Sequence, residues 1–532
     1  MSFARISKEK VISLKGTGHW RVWSLSELLS DRRAIGWMAI AAACLFAVLA
    51  GRQAASRPVF VVGGMAGGIL LLSLAVRPRL AVIFVIAYTP FEEFLLKFVP
   101  SQAYALARYL PELLLIMTLG LILVACAVRR AKVRRTVLDL PLFSFIGVSL
   151  VSMFYNKIPP VIGVLELRIL LRYAVLSYVI IMGAFDREFI RRAFGLMLVV
   201  LSVQVGLGLL HSLGGNAVSE LLSPRNVTIG DIFVRRGFSQ IVSSHTRIFS
   251  TFGRYNLYGN YLAFFLLFVI SLLYMREGEM SDPERRKLKL LLVGGLSALL
   301  LSFSRMSWFG FYAGLVFLLF VMRRKRVIAY LIVPATVTII LFRFYGPDAR
   351  EVSETATASV VERYLGVFSR RYVEASLRSD RLYALTTTTR RVLEISPAFG
   401  LGPGSVASAA ARVFGGGERW EVLDLPSENV IALGDVGWAA VLAQYGVLGL
   451  AAFIWLLVRI FRASLDCFHR ARDSLQKAIA LGFLGGFVCV MLENLFSFNF
   501  TYRPSSLYFW VFVGLVVRML DIQREVGGNS RQ

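Results

Sequence analysis

Residues 256–275 read NLYGNYLAFFLLFVISLLYM, twenty residues without a charge. A helix of that length, at about 1.5 Å per residue, spans the roughly 30 Å hydrocarbon core of a bilayer. Polar Arg254 and Tyr255 precede the run, and the basic stretch Arg285 to Lys289 follows it. Similar runs recur along the chain at 34–50, 58–76, 80–98, 109–128, 138–155, 169–185, 193–211, 290–304, 306–322, 327–345, 437–458, 477–496 and 506–520. With 256–275 that makes 14 expected spans, or 12 to 13 if the shorter ones do not cross. The 532 residues are 57% apolar and 17% charged, with a mean hydropathy of +0.66. A soluble protein needs far more charge on its surface, so the composition points to an all-α polytopic membrane protein. It excludes a disulfide-stapled secreted domain and a disordered chain.

The net charge of +26 would suggest nucleic acid on a soluble domain. Here the basic residues cluster between the apolar runs, at Arg77/Arg79, Arg129 to Arg135, Arg187 to Arg192, Arg285 to Lys289, Arg323 to Arg326 and Arg459 to Arg472. Two runs fit between successive clusters, as expected when positive loops stay cytoplasmic, so no nucleic-acid partner is expected. The first 33 residues are basic and lack the short apolar core of a cleavable leader. The expected plan is a cytoplasmic segment 1–33, helices over 34–211, an outer loop 212–255 and helices over 256–345. A large outer loop 346–436, helices over 437–520 and a cytoplasmic tail 521–532 complete it. The large loop holds 10 Arg and 12 acidic residues, and Val360–Ser379 and Arg381–Ile395 show the spacing of short amphipathic helices. Cys44, Cys126 and Cys489 lie in apolar runs and Cys467 in an expected basic loop, without metal spacing or a disulfide framework.

The candidate chemistry sits at the outer ends of the runs. Arg305 breaks two of them in Ser302-Phe-Ser-Arg-Met-Ser-Trp308, and Arg247 and Arg254 flank Ile248 to Gly253 just before the run at 256. Each fits either a side chain snorkelling to headgroups or a guanidinium that forks onto phosphate oxygens. His245 reads as a loop residue or a weak substrate contact. Asp380-Arg381-Leu-Tyr383 leads the second amphipathic segment, and Gly400, Gly402 and Gly404 allow a tight turn that can approach a ligand. Pro403 and the missing strand exclude a dinucleotide fingerprint. Glu428 and Asp435 stand where the chain re-enters the membrane, each a helix-capping acid or a general base. Glu92, Glu93, Glu112, Glu166 and Glu493, with Arg168 and Arg172, are secondary candidates, either for substrate or as ion pairs that fix helix packing.

Taken in order, these stretches resemble the superfamily of O-antigen ligases and O-antigen or exopolysaccharide polymerases of bacterial inner membranes. The succession is Arg247-Ile-Phe-Ser-Thr-Phe252, Ser304-Arg305, Arg381-Leu-Tyr383, Pro397-x-x-Gly-x-Gly-x-Gly404, Asp435-x-Gly-Trp438 and Gly446-Val-Leu-Gly449. The motif-bearing part covers roughly 245–450 of the chain. The resemblance implies a GT-C-like arrangement and a metal-independent, cofactor-free glycosyl transfer on the periplasmic side. The donor would be an oligosaccharide on undecaprenyl diphosphate, and Arg247 and Arg305 would hold the diphosphate. Other implied partners are membrane lipid, a chain-length regulator and a flippase. Ligases carry a His-Asn pair at the re-entry, where this chain has Ser427-Glu428-Asn429; Asp435-Val-Gly-Trp438 is closer to the polymerases. A polymerase, inverting at the anomeric carbon, is therefore the expected branch. A ligase acting on lipid A–core is the first alternative. A flippase or secondary transporter is the second, although no internal repeat pairs two halves of the chain.

Overall fold

The computed structural model describes residues 67–68 and 71–529, apart from 129–133, 230–231, 235–240, 243–244, 325, 331, 334–335, 338–339, 341–369, 407, 409, 412–419 and 426–432. The expected spans at 34–50 and 327–345 therefore fall wholly or mostly outside the described residues, as do Glu428 and most of 58–76.

The described chain is a membrane-embedded helical protein. Its helices are α1 (Pro78–Tyr88), α2 (Ser101–Val128), α3 (Asp139–Tyr155), α4 (Pro160–Leu171), α5 (Ala174–Met182) and α6 (Arg187–Leu222). There follow α7 (Tyr255–Met275), α8 (Asp282–Leu301), α9 (Arg305–Val321), α10 (Arg370–Ser379), α11 (Arg381–Ile395), α12 (Gly437–Arg470), α13 (Ser474–Glu493) and α14 (Arg503–Asn529). Between α6 and α7, β1 (Val227–Ile229) pairs antiparallel with β2 (Ile232–Val234), and β3 (Ile241–Val242) with β4 (His245–Thr246). Among the described residues, six helices are long and apolar enough to cross a membrane: α2 from Ala103, α6, α7, α12, α13 and α14 to Glu525. The helices α3 and α9 are apolar but shorter.

Local chemistry explains where the expected runs change. The run 80–98 is not one helix: α1 stops at Tyr88, and short turns carry Thr89 to Phe98. Pro90 has no N–H for the helical ladder, and Glu92 and Glu93 leave the apolar pattern immediately after it. The run 169–185 divides between α4 and α5 at Arg172 and Tyr173, where the arginine turns to polar partners. Conversely, α6 and α12 run past the ends of their expected spans, each across a glycine in the left-handed region, Gly215 and Gly446. Cys467 thus lies buried in the last turns of α12 rather than in a loop.

The helix α7 is central: Tyr258 to Val269 are buried without a break, so all its faces pack against protein. It lies on α9 and α13, and an aromatic group of Phe264, Phe265, Phe268, Phe483 and Phe512 ties it to α13 and α14. A Cβ on Gly314 would stand 2.7 Å from the Gly485 carbonyl, so glycine at this crossing lets the backbones of α9 and α13 nearly touch.

The glycine turn of 400–404 is seated on a break in α12. Gly446 interrupts that helix at φ 66°, in the left-handed region. The freed backbone bonds the turn: Leu401 N donates to Ala443 O at 2.8 Å, Gly402 N to Gln444 O at 3.0 Å and Val447 N to Pro397 O at 2.8 Å. A Cβ on Gly446 would collide with Ala398 O. The close approach that Gly400, Gly402 and Gly404 permit is to the chain itself, and all three are buried.

Candidate active site

The stretch from Arg247 to Arg254 is pinned by its middle. Ile248, Phe249 and Phe252 are buried, and Ile248 N donates to Leu301 O at 3.4 Å, the turn that leads to Arg305. Ser250 Oγ donates to Gln204 Oε1 at 2.6 Å, and Thr251 Oγ1 to Pro90 O at 2.7 Å. Phe249 also packs edge-on against the buried His211 ring, whose Nδ1 accepts from Phe249 N at 3.4 Å. With the middle fixed in the core, Arg247 and Arg254 are left half-buried at its two ends. The Arg247 guanidinium lies over the Tyr255 ring at 4.3 Å, a cation–π contact that orients it.

Asp435 receives the other components. Its Oδ2 accepts from Arg381 Nη2 at 2.8 Å, and its Oδ1 from the Tyr502 hydroxyl at 2.9 Å. The second Arg381 nitrogen donates to Phe496 O at 3.2 Å. Burial works against the charge on Arg381, but Asp435 and then Tyr255, Asp380 and Tyr502 outweigh it and raise its pKa further. The Tyr502 hydroxyl is pushed above the ordinary phenol range by burial and then by Asp435, with Arg254 and Arg381 opposing. It therefore stays a proton donor at neutral pH. Arg254, Tyr255 and Asp435 are thus each within electrostatic reach of Arg381 or Tyr502, and the group comes from four segments far apart in sequence. Arg247 joins through Tyr255. Arg305 is the first residue of α9, half-buried, directly after the turn that Ile248 bonds. The backbone of His245 lies in β4.

A second cluster adjoins the first through consecutive residues: Tyr502 faces Asp435, while Arg503 turns the other way. Arg503 pairs with Glu92 and donates to Glu112 Oε1 at 2.8 Å, with all three side chains buried. Arg168 pairs with Glu112 and lies 4.7 Å over the Tyr109 ring; Arg172 is 3.6 Å from Glu112 and donates to Thr501 O at 3.2 Å. Arg108 bonds Glu93 at 3.0 Å. Arg168 and Arg172 are therefore brought to Glu112 and not to Asp435, and the network ties α2, α4 and α14 together. Removing Arg503 strands the buried Glu92 and leaves Glu112 to Arg168 and Arg172 alone, so Arg503→Met is expected to lower stability by about 3–5 kcal/mol. Thermal unfolding in detergent measures this, and restoring neutrality with Glu92→Gln should recover part of the loss.

Glu166 and Glu493 are buried without a salt bridge to a described residue. Glu166 accepts from Ser408 Oγ at 2.8 Å and faces Gln444 Nε2 at 3.5 Å, while Gln444 Oε1 accepts from Gly404 N at 3.0 Å. Tyr255, Tyr502, Arg503, Gln204 and His211 were not singled out by sequence reasoning. Only the Tyr502-Arg503-Pro504 triplet ahead of the last apolar run offered a signal, a charge and a phenol where a helix enters. Among the described residues, no three His, Cys, Asp or Glu side chains gather as metal ligands would. No family model matches the chain, and no curated protein matches it.

Proposed function

We propose that the protein polymerises lipid-linked oligosaccharide repeat units, exopolysaccharide or O-antigen, at the periplasmic face of a bacterial inner membrane. In this reading the helices form a GT-C-like set of 12 to 14 spans, with both termini cytoplasmic. The supporting observation is the convergence of Arg247, Arg254 and Arg381 with Asp435 and Tyr502, beside the turn that presents Arg305. The described charged side chains linked there are Arg247, Arg254 and Arg381 with Asp380 and Asp435, and Arg305 starts the helix after the adjoining turn. That set suits a dianionic headgroup anchored at the membrane surface.

The chemistry follows from that balance. An acceptor sugar hydroxyl attacks the anomeric carbon, the bond to the diphosphate oxygen breaks, and its electron pair leaves with the diphosphate. Arginines that neutralise the growing charge on the leaving group lower the barrier, as an oxyanion hole does. Asp435 has a lone pair left on each oxygen after its bonds to Arg381 and Tyr502, so it can take the hydroxyl proton. Tyr502 and Arg381 hold that carboxylate in one orientation, and inversion results from a single in-line displacement.

Loss of the gene discriminates between the branches. For a polymerase, single repeats accumulate on the lipid carrier; for a ligase, long glycan accumulates there instead. The sidedness is checked separately. With the native cysteines replaced, Glu394→Cys on α11 should react with a membrane-impermeant thiol reagent in intact spheroplasts, and Arg286→Cys on α8 only after lysis. The opposite pattern would invert the topology and remove the site from the periplasm.

A further inference from the structure

Glu493 ends α13 with its side chain at 0% exposure, and it closes a ring with two carboxamides. Its Oε2 lies 2.6 Å from the Asn499 amide, and Asn499 lies 2.6 Å from the Asn260 amide. The other end of the Asn260 amide lies 3.2 Å from Glu493 Oε1. Each of these three contacts needs one hydrogen. Each carboxamide offers one N–H side and one oxygen side, so the hydrogens can be counted.

Which amide end is nitrogen is an assignment, so every orientation must be tried. If Asn260 donates to Asn499 and Asn499 to Oε2, the contact between Oε1 and the Asn260 oxygen has no hydrogen. If both amides are reversed, Asn260 donates to Oε1 and Asn499 to Asn260, and the contact between Oε2 and the Asn499 oxygen lacks one. Reversing one amide alone sets oxygen against oxygen or nitrogen against nitrogen at 2.6 Å. Both self-consistent rings thus need a hydrogen from Glu493. In the first ring the Asn260 oxygen also accepts from Ser307 Oγ at 2.6 Å, and in the reversed ring Asn260 instead donates to Asn256 O at 3.1 Å; the hydrogen from Glu493 is needed in both. Among the described residues the other titratable group bonded to Glu493 is the Cys489 thiol, itself a donor.

We propose that Glu493 is a carboxylic acid whose proton closes this ring, and that the ring positions the Asn499–Arg503 turn carrying Tyr502 to Asp435. The turn is short: Asn499 N donates to Asn494 Oδ1 at 3.1 Å, and Thr501 N to Phe498 O at 3.0 Å. Only Phe500 and Thr501 separate Asn499 of the ring from Tyr502. Glu493 is thus a positioning residue, and its link to turnover rests on the polymerase reading above.

Glu493→Gln supplies an N–H where the acid supplies an O–H, so three amides can close the same ring. Turnover and melting temperature should stay near wild type, within about threefold in rate, whereas Glu493→Ala should lose more than about tenfold. Glu493→Ala should also be non-additive with Tyr502→Phe, because both act through the same bond. An infrared difference spectrum of wild type minus Glu493→Gln should show the carbonyl stretch of a protonated carboxylic acid, shifted in heavy water. If that band is absent, or if Glu493→Gln loses function as Glu493→Ala does, the proposal is overturned. The infrared and melting readouts need no substrate, so they decide it even if lipid-linked saccharide proves not to be the substrate.

Discussion

Asp435→Asn should lower turnover at least about 100-fold, because it removes a proton acceptor while keeping the shape of the side chain. The geometry makes this substitution informative. Asparagine can still accept the Tyr502 hydroxyl bond on its oxygen, but its amide nitrogen then faces Arg381 and loses the 2.8 Å ion pair. Two controls separate base from brace. Tyr502→Phe removes one orienting bond and keeps the carboxylate, so it should cost less than Asp435→Asn. Glu428→Gln should also cost less. Single-turnover rates with a saturating donor make the comparison, and near-normal turnover in Asp435→Asn would eliminate it as the base.

Arg247→Ala and Arg305→Ala should each reduce activity by about 100- to 1,000-fold, the scale of losing one donor to a developing oxyanion. Lysine should restore only part of it, since an ammonium keeps the charge but cannot make the two parallel bonds of a guanidinium. Arg247 carries an added constraint. Its guanidinium is oriented over Tyr255, so Tyr255→Leu should reproduce a fraction of the Arg247→Ala defect. Rates normalised to folded, inserted protein are the measure. Normal polymerisation by both alanine variants would return the two arginines to an interfacial role.

Much of the helical framework is legible in the sequence where a run is uniformly apolar and cleanly bounded. The run 256–275 is realised as Tyr255–Met275, and the amphipathic segment Arg381–Ile395 has the same limits, burying Ala384, Thr388 and Val392 along one stripe. Window composition fails where polar groups find partners inside. Glu92 and Arg172 break runs that read as continuous, because buried pairing with Arg503 and bonding to Thr501 repay their desolvation. Six described helices meet the length of a span, against an expected 14 along the whole chain, part of which lies outside the described residues. The individual candidate residues Arg247, Arg381 and Asp435 stand out by type and position. Their joining does not, since the Arg381–Asp435 pair bridges 54 residues and Tyr502 lies 67 beyond Asp435. The glycine turn was legible as a tight turn, but its partner, the left-handed break at Gly446, lies inside a run that reads as one continuous span, with only Gln444 and the glycines to mark the place.

The central claim is that this chain alone joins lipid-linked repeats at the arginine–aspartate cluster. It is tested most directly by incubating purified protein in detergent with polyprenyl-diphosphate-linked repeat units and excess EDTA, then resolving the glycans by size. The account predicts a ladder of products that grows with time in wild type and is absent in Arg247→Ala and Asp435→Asn. A folded wild-type protein that yields only single repeats, or a ladder that appears equally in those variants, would contradict it.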